Sequence, residues 1–181
     1  MTTATQPFTQ TFTTDAVHSS FGFAVKHMGV STFRGQLEDA QATLTPADGG
    51  YALEGRATAE SISIRQPDQF RAHVLGGEFF DAANHPTVTF RSSDVDLADD
   101  GGATVRGELT IKGITREVVA TGTYSAPQED PYGNPRGALE LEADIDRTDW
   151  EITWQAPLPN GGKALDEQVK LYVHLELVPA A

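Results

Sequence analysis

Cysteine is absent from the 181 residues of the chain. Neither a disulfide framework nor thiolate chemistry is therefore available, and the stability of the fold has to come from packing. Basic residues are scarce, because 13 Lys and Arg stand against 26 Asp and Glu and leave a formal net charge of -13. This charge repels phosphate backbones and anionic membrane surfaces over the whole molecule. We therefore expect no nucleic-acid partner.

Long apolar runs are missing as well. No stretch approaches the roughly 18 consecutive apolar residues that a membrane-spanning helix requires. Residues 1–8 contain no basic residue and no apolar run of about seven residues, so they lack both features of a secretory signal. We therefore predict a cytoplasmic protein. The length suits one domain over residues 1–181, with residues 1–11 as a flexible N-terminal arm.

Alternation of apolar and polar residues runs through the chain, and it is the pattern of strands with one buried face. Near the N-terminus, Phe21, Phe23 and Val25 fall on one face of a strand. The only helix that the sequence indicates is a short one between Pro67 and Gly76. About eight main strands follow one another in antiparallel order, which predicts an all-β, up-and-down barrel.

Four motifs, in order along the chain, resemble those of the YceI-like or polyisoprenoid-binding family. They are Asp15–Gly35, Glu78-Phe79-Phe80-Asp81 together with His85–Phe90, Gly107–Arg116, and Arg147-Thr148-Asp149-Trp150. The resemblance covers roughly residues 12 to 178. It implies an extended eight-stranded antiparallel lipocalin-like barrel with an elongated interior that holds a long isoprenoid or a similar amphiphilic chain. It also implies a binding or carrier role, often in a homodimer.

The inner face of the strands is the candidate ligand site. Its members are Phe21, Phe23, Val25, Phe90, Leu109, Ile111, Leu141 and Trp154. These side chains either line a cavity or pack it shut, since eight-stranded barrels can be filled by side chains alone. Phe70, Phe79 and Phe80, on the helix and the segment after it, either cap the mouth of that cavity and meet the ligand or bury the helix.

Three cations stand beside glycines at strand ends, namely Arg34, Lys112 and Arg116. A cation at the mouth of an apolar cavity would offset the cost of bringing an anionic head group near it. The alternative is that all three are ordinary solvated surface charges.

Metal and catalytic chemistry find little support in the sequence. The five histidines include no closely spaced pair, so we expect no metal site. No Gly-x-Ser-x-Gly motif occurs. We therefore predict a protein, not an enzyme and without a cofactor, that sequesters or carries a long-chain amphiphilic lipid of polyisoprenoid, quinone or fatty-amide type. The alternatives are a lipid-modifying enzyme that uses the same cavity and a stress-related interaction protein with a filled core.

Overall fold

The computed structural model describes residues 6–181. Within this part, the chain forms ten strands, one α-helix and two 3₁₀ turns. The strands are β1 (Phe12–Thr14), β2 (Ser20–His27), β3 (Ser31–Leu37), β4 (Gln41–Ala47), β5 (Gly50–Thr58), β6 (Thr87–Leu97), β7 (Gly102–Ile111), β8 (Ile114–Glu129), β9 (Pro135–Asp146) and β10 (Leu165–Pro179). Helix α1 spans Asp68–Leu75, and the 3₁₀ turns are Ala59–Ser61 and Arg147–Trp150.

Eight of these strands close into an antiparallel barrel. The order around the ring is β1-β4-β5-β6-β7-β8-β9-β10, and β1 completes it by pairing with both β4 and β10. Phe12 makes the closure, because it lies opposite Leu44 on one side and Pro179 on the other. The predicted all-β barrel with a short helix is therefore confirmed.

Strands β2 and β3 stand outside the ring as a hairpin that extends the wall. β2 pairs with the first two thirds of β10, from His27 opposite Leu165 to Ser20 opposite His174. β3 pairs with β2, and Leu37 at its end bridges to Ile62. The strand predicted around Phe21, Phe23 and Val25 is β2, whereas the ring begins with the three-residue β1.

The connections divide into two ends of the barrel. The end that we call the mouth carries α1, the β2–β3 and β7–β8 turns, and the 3₁₀ turn Arg147–Trp150. The opposite end, the base, carries the β4–β5, β6–β7 and β8–β9 turns. Among residues 6–181, no helix combines the length and apolar character needed to cross a bilayer.

The base is closed by Phe8, which is completely buried. Its ring meets those of Phe12 and Tyr51 edge-on at 5.2 and 6.0 Å, and its backbone N–H donates to the Tyr51 hydroxyl at 3.1 Å. Gly137 makes room for this ring, because a Cβ there would lie 2.5 Å from it. The expected flexible arm therefore needs correction over residues 6–11, where aromatic burial fastens the chain; residues 1–5 lie outside the described part.

Candidate ligand cavity

The barrel contains two adjacent apolar chambers. The larger, at the mouth, has a volume of about 430 Å³, and the smaller, deeper in the barrel, has about 100 Å³. Phe21, Val88 and Leu171 line both chambers and form a waist between them. Because the inward-facing positions of β7 and β9 are small or medium-sized aliphatic residues, the core leaves this space open along the barrel axis.

All eleven candidate ligand residues lie on the chamber walls. The large chamber is lined by Phe23, Val25, Phe70, Phe79, Phe80, Ile111 and Trp154, the small one by Phe90, Leu109 and Leu141, and both by Phe21. Of the two interpretations left open by the sequence, the structure shows an open cavity. Contact between these residues and a ligand stays a prediction.

Aromatic side chains from separate segments surround the mouth. His73 on α1 meets Phe79 and Trp154 edge-on, with ring centroids 5.1 and 5.2 Å apart. On the other side of the mouth, Phe70 meets Phe33 of β3 at 5.9 Å. Phe70 remains 39% exposed, so its ring belongs both to the chamber wall and to the outer rim.

Arg71 holds α1 over the large chamber. Its guanidinium donates to the main-chain carbonyls of Glu60, Ile62 and Ile64 at 2.6, 3.1 and 2.9 Å. Ile64 and Val74 are both buried between the helix and the segment that precedes it. The helix is thus fastened to the barrel by charge-assisted hydrogen bonds as well as by apolar contact.

Three polar residues interrupt the apolar lining of the large chamber, namely His27, His73 and Arg147. Arg147 is only 5% exposed. Its guanidinium donates to three main-chain carbonyls: Ile152 at 2.6 Å, Asp166 at 2.8 Å and Leu165 at 3.2 Å. Burial lowers the pKa of this guanidinium, although nearby carboxylates oppose the shift.

Sequence reasoning did not identify Arg147 as part of the cavity. Its only signal was its place in the Arg147–Trp150 motif, which carried the family resemblance. The same turn brings in Trp150, which is 1% exposed and donates from its indole N–H to the carbonyl of Leu109 at 3.1 Å. The turn therefore fixes one wall of the cavity to β7 and β10.

The three candidate head-group cations lie outside both chambers. Arg34 is exposed and alternates with the inward-facing Phe33 on β3. The Lys112 ammonium donates to the carbonyl of Glu151 at 3.2 Å, and the exposed Arg116 donates to the carbonyl of its neighbour Thr115 at 2.9 Å. The neighbouring glycines indicated strand ends but did not indicate which face a side chain takes. The structure does not bring these cations to the cavity wall.

A separate cluster of charges lies at the base. The Arg136 guanidinium donates to the carboxylates of Asp15 and Glu176, each at 2.6 Å, and to that of Asp130 at 3.1 Å. The hydrogen bond from Arg136, supported by His18, holds the pKa of Asp15 well below its usual range. Asp15, His18 and Glu176 are close enough together to suggest metal ligands. Because Arg136 already donates hydrogen bonds to both carboxylates, we describe the cluster as an ion-pair network.

Comparison with known proteins gives consistent matches. The YceI-like domain family matches residues 12–177. A UPF0312 protein of Vibrio cholerae is 26% identical over 145 residues, which cover 77% of this chain and 75% of the relative. A UPF0312 protein of Pectobacterium atrosepticum is 28% identical over 151 residues, covering 78% and 74%.

Two solved structures share the fold over almost their whole length. BcnA of Burkholderia cenocepacia superimposes with a TM-score of 0.74 at 21% identity, covering 92% of this chain and 99% of that one. A polyisoprenoid binding domain from Saccharophagus degradans superimposes with a TM-score of 0.64 at 13% identity, covering 93% and 98%.

Proposed function

The chain belongs to the YceI-like domain family, and from the two chambers of its barrel we propose that it binds one long-chain amphiphilic lipid. The apolar chain enters the large chamber, passes the waist and ends in the small chamber, while the polar head stays at the mouth. Polyisoprenoid, quinone and fatty-amide lipids all have this form. The description of the Saccharophagus degradans neighbour as a polyisoprenoid binding domain supports the same class of ligand.

The proposal rests on the apolar character of the chamber walls. Of the residues that line the large chamber, all but His27, His73 and Arg147 are apolar. A volume of about 430 Å³ lies within the range of small-molecule sites. Such a wall shields a bound lipid chain from water, and it presents few hydrogen-bonding groups to a polar substrate.

Burial of the chain supplies the affinity. Each methylene removed from water contributes roughly 0.8 kcal/mol, so ten contribute roughly 8 kcal/mol before the cost of ordering. Association and chain ordering offset a large part of this gain. A long chain therefore binds tightly, and contacts at the mouth decide between head groups.

Native mass spectrometry of the purified protein, followed by organic extraction, tests the proposal. We expect a stoichiometric adduct with the mass of a long-chain lipid, recovered chemically unchanged. Recovery of a converted lipid would replace the carrier function by an enzymatic one. An adduct-free protein that also fails to bind added isoprenoid, quinone and fatty-amide lipids would refute lipid binding.

Trp154→Ala tests the position of the ligand. Trp154 is half-buried in the wall of the large chamber, and losing part of its contact area costs about 2 kcal/mol at roughly 25 cal/mol per Å². We expect an increase of about thirtyfold in the dissociation constant of the extracted lipid. Tyr132→Ala is the matched control, since Tyr132 is 88% exposed at the base and should not alter binding.

A further inference from the structure

No acidic side chain lines the large chamber in the described part of the chain, although the protein is strongly acidic. The polar residues of its wall are His27, His73 and Arg147, and all three are basic. Asp and Glu number 26, against 13 Lys and Arg, and leave a formal net charge of -13. The chamber therefore favours an anionic ligand group, whereas the surface of the molecule repels one.

Arg147 retains hydrogen-bonding capacity that the protein does not use. A guanidinium has five N–H groups. In Arg147, three of them donate to the main-chain carbonyls of Ile152, Leu165 and Asp166, and within residues 6–181 the side chain has no further acceptor. Two N–H groups of a residue that lines the chamber and is only 5% exposed are thus left without a partner. An unpaired buried donor is costly, so an acceptor group on a ligand would be stabilised there.

The charge of Arg147 also lacks a counter-ion in contact with it. Asp146, Asp166 and Glu167 act on the guanidinium through longer-range attraction, and within the described residues none of them forms an ion pair with it. Each of these carboxylates accepts hydrogen bonds from other groups of the protein instead. Because a buried charge is costly unless it is paired, an anionic ligand group beside Arg147 would supply the missing partner.

Arg147 lies where the head of a bound lipid is expected. The 3₁₀ turn that carries it is at the mouth, and its guanidinium donates to Leu165, which lies opposite His27 on the neighbouring strand. His27 is exposed and also lines the chamber, so it lies between solvent and the part of the wall that holds Arg147. His73, the third basic residue, directs Nε2 to the carboxylate of Glu78 at 2.9 Å. Of the three, Arg147 is therefore the permanent cation without a carboxylate partner.

From these observations we propose that the large chamber holds a lipid whose head group is a carboxylate, bound by Arg147. A carboxylate has one negative charge and two acceptor oxygens, which match the single charge and the two unused N–H groups of the guanidinium. A phosphate monoester carries about two charges at neutral pH, and the described residues of the chamber wall include no second permanent cation. The inference rests on the proposed binding of a lipid and adds the chemical class of its head, that of a long-chain carboxylic acid.

Three lipids with the same chain test the proposal without any substitution. Dodecanoic acid, dodecanamide and dodecylamine are titrated one at a time at pH 8, where a carboxylic acid is ionised, and native mass spectrometry gives each dissociation constant. We expect the acid to bind at least about tenfold more tightly than the isosteric amide, because a hydrogen bond between two charged groups is stronger than one to a neutral carbonyl. The amine should bind most weakly, since it brings a second cation towards Arg147.

The net charge of the protein makes this order informative. A charge of -13 repels the acid and attracts the amine at the surface, so a preference for the acid has to come from a local cation. Binding of the amide or the amine as tight as that of the acid would overturn the proposal.

Arg147→Leu tests the residue itself. The dissociation constant of the amide divided by that of the acid should fall to about one, whereas loss of a purely structural donor would weaken both lipids alike and leave the ratio unchanged. Arg116→Leu is the matched control, because it removes the same charge from an exposed side chain outside both chambers and should keep the ratio. An unchanged ratio in a folded Arg147→Leu variant would contradict the proposal. The titrations of the unsubstituted protein decide the question if that variant does not fold.

The same titrations separate this inference from the proposed function. Binding of isoprenoid, quinone or fatty-amide lipids with no preference for the acid would reject the carboxylate head and leave lipid binding in place. No binding of any of these lipids, the acid included, would reject both.

Discussion

Replacing Arg147 with leucine removes the only charged residue that is buried as a whole in the described part of the chain. The carbonyls of Ile152 and Asp166, at 2.6 and 2.8 Å, then lose their side-chain donor, whereas that of Leu165 keeps a hydrogen bond from Gln155 at 2.7 Å. An unsatisfied carbonyl costs about 1–3 kcal/mol when it is buried, as that of Ile152 is, and less when it is partly exposed, as that of Asp166 is. The gain from no longer desolvating a guanidinium offsets part of this cost. We expect a net loss of about 2 kcal/mol in the free energy of unfolding.

Thermal unfolding followed by circular dichroism measures this effect. For a domain of this size, about 1 kcal/mol corresponds to about 2–4 °C, so Arg147→Leu should lower the midpoint by about 4–8 °C. Arg116→Leu is the control, because Arg116 is exposed and donates only to the carbonyl of its neighbour. A midpoint for Arg147→Leu within about 2 °C of the unsubstituted protein would refute the reasoning, since the three hydrogen bonds would then be worth no more than the desolvation they compensate.

Two further predictions concern the small chamber and the base. Ala143→Phe places a ring in the chamber of about 100 Å³. The substitution should weaken the binding of long-chain lipids by roughly 0.8 kcal/mol for each methylene that the ring excludes, and it should leave the binding of short-chain lipids unchanged. Dissociation constants across a series of chain lengths measure this effect. Equal weakening at every chain length would contradict the prediction. Arg136→Gln removes the hydrogen bond that lowers the pKa of Asp15. Because that pKa is lower in the folded than in the unfolded protein, the stabilisation is present at neutral pH and is lost as the pH falls below about 4. Urea unfolding should therefore show a deficit in the variant at pH 7 that shrinks towards pH 2, whereas a constant deficit would exclude this linkage.

Alternation along the strands predicted the barrel and the inner face well, because both depend on a local two-residue period. Val105, Leu109 and Ile111 are buried on β7, and Leu141 and Ile145 on β9, as the pattern requires. The family motifs added that the interior would be open, which alternation alone does not decide.

Features that depend on distant parts of the chain were missed. Phe8 follows a polar segment with no period, and its burial depends on Tyr51 and Gly137. Arg147 is satisfied by carbonyls 18 and 19 residues further along the chain. The sequence also did not predict whether the side chains of Arg34, Lys112 and Arg116 point into the barrel or away from it. A glycine beside each of them indicates a strand end but not the direction of the neighbouring side chain.

The pairing of β1 with β10 also constrains when the interior forms during synthesis. β1 lies at residues 12–14 and its partner positions at residues 177–179, so this contact spans nearly the whole chain. Contacts of such long sequence separation form late, after the intervening segments have become ordered. The sheet from β4 to β9 can assemble while the ribosome is still translating, but its apolar face stays accessible until β10 has been made. The apolar face that will line the chambers therefore stays open to water for most of translation, and the barrel closes only when β1 and β10 meet.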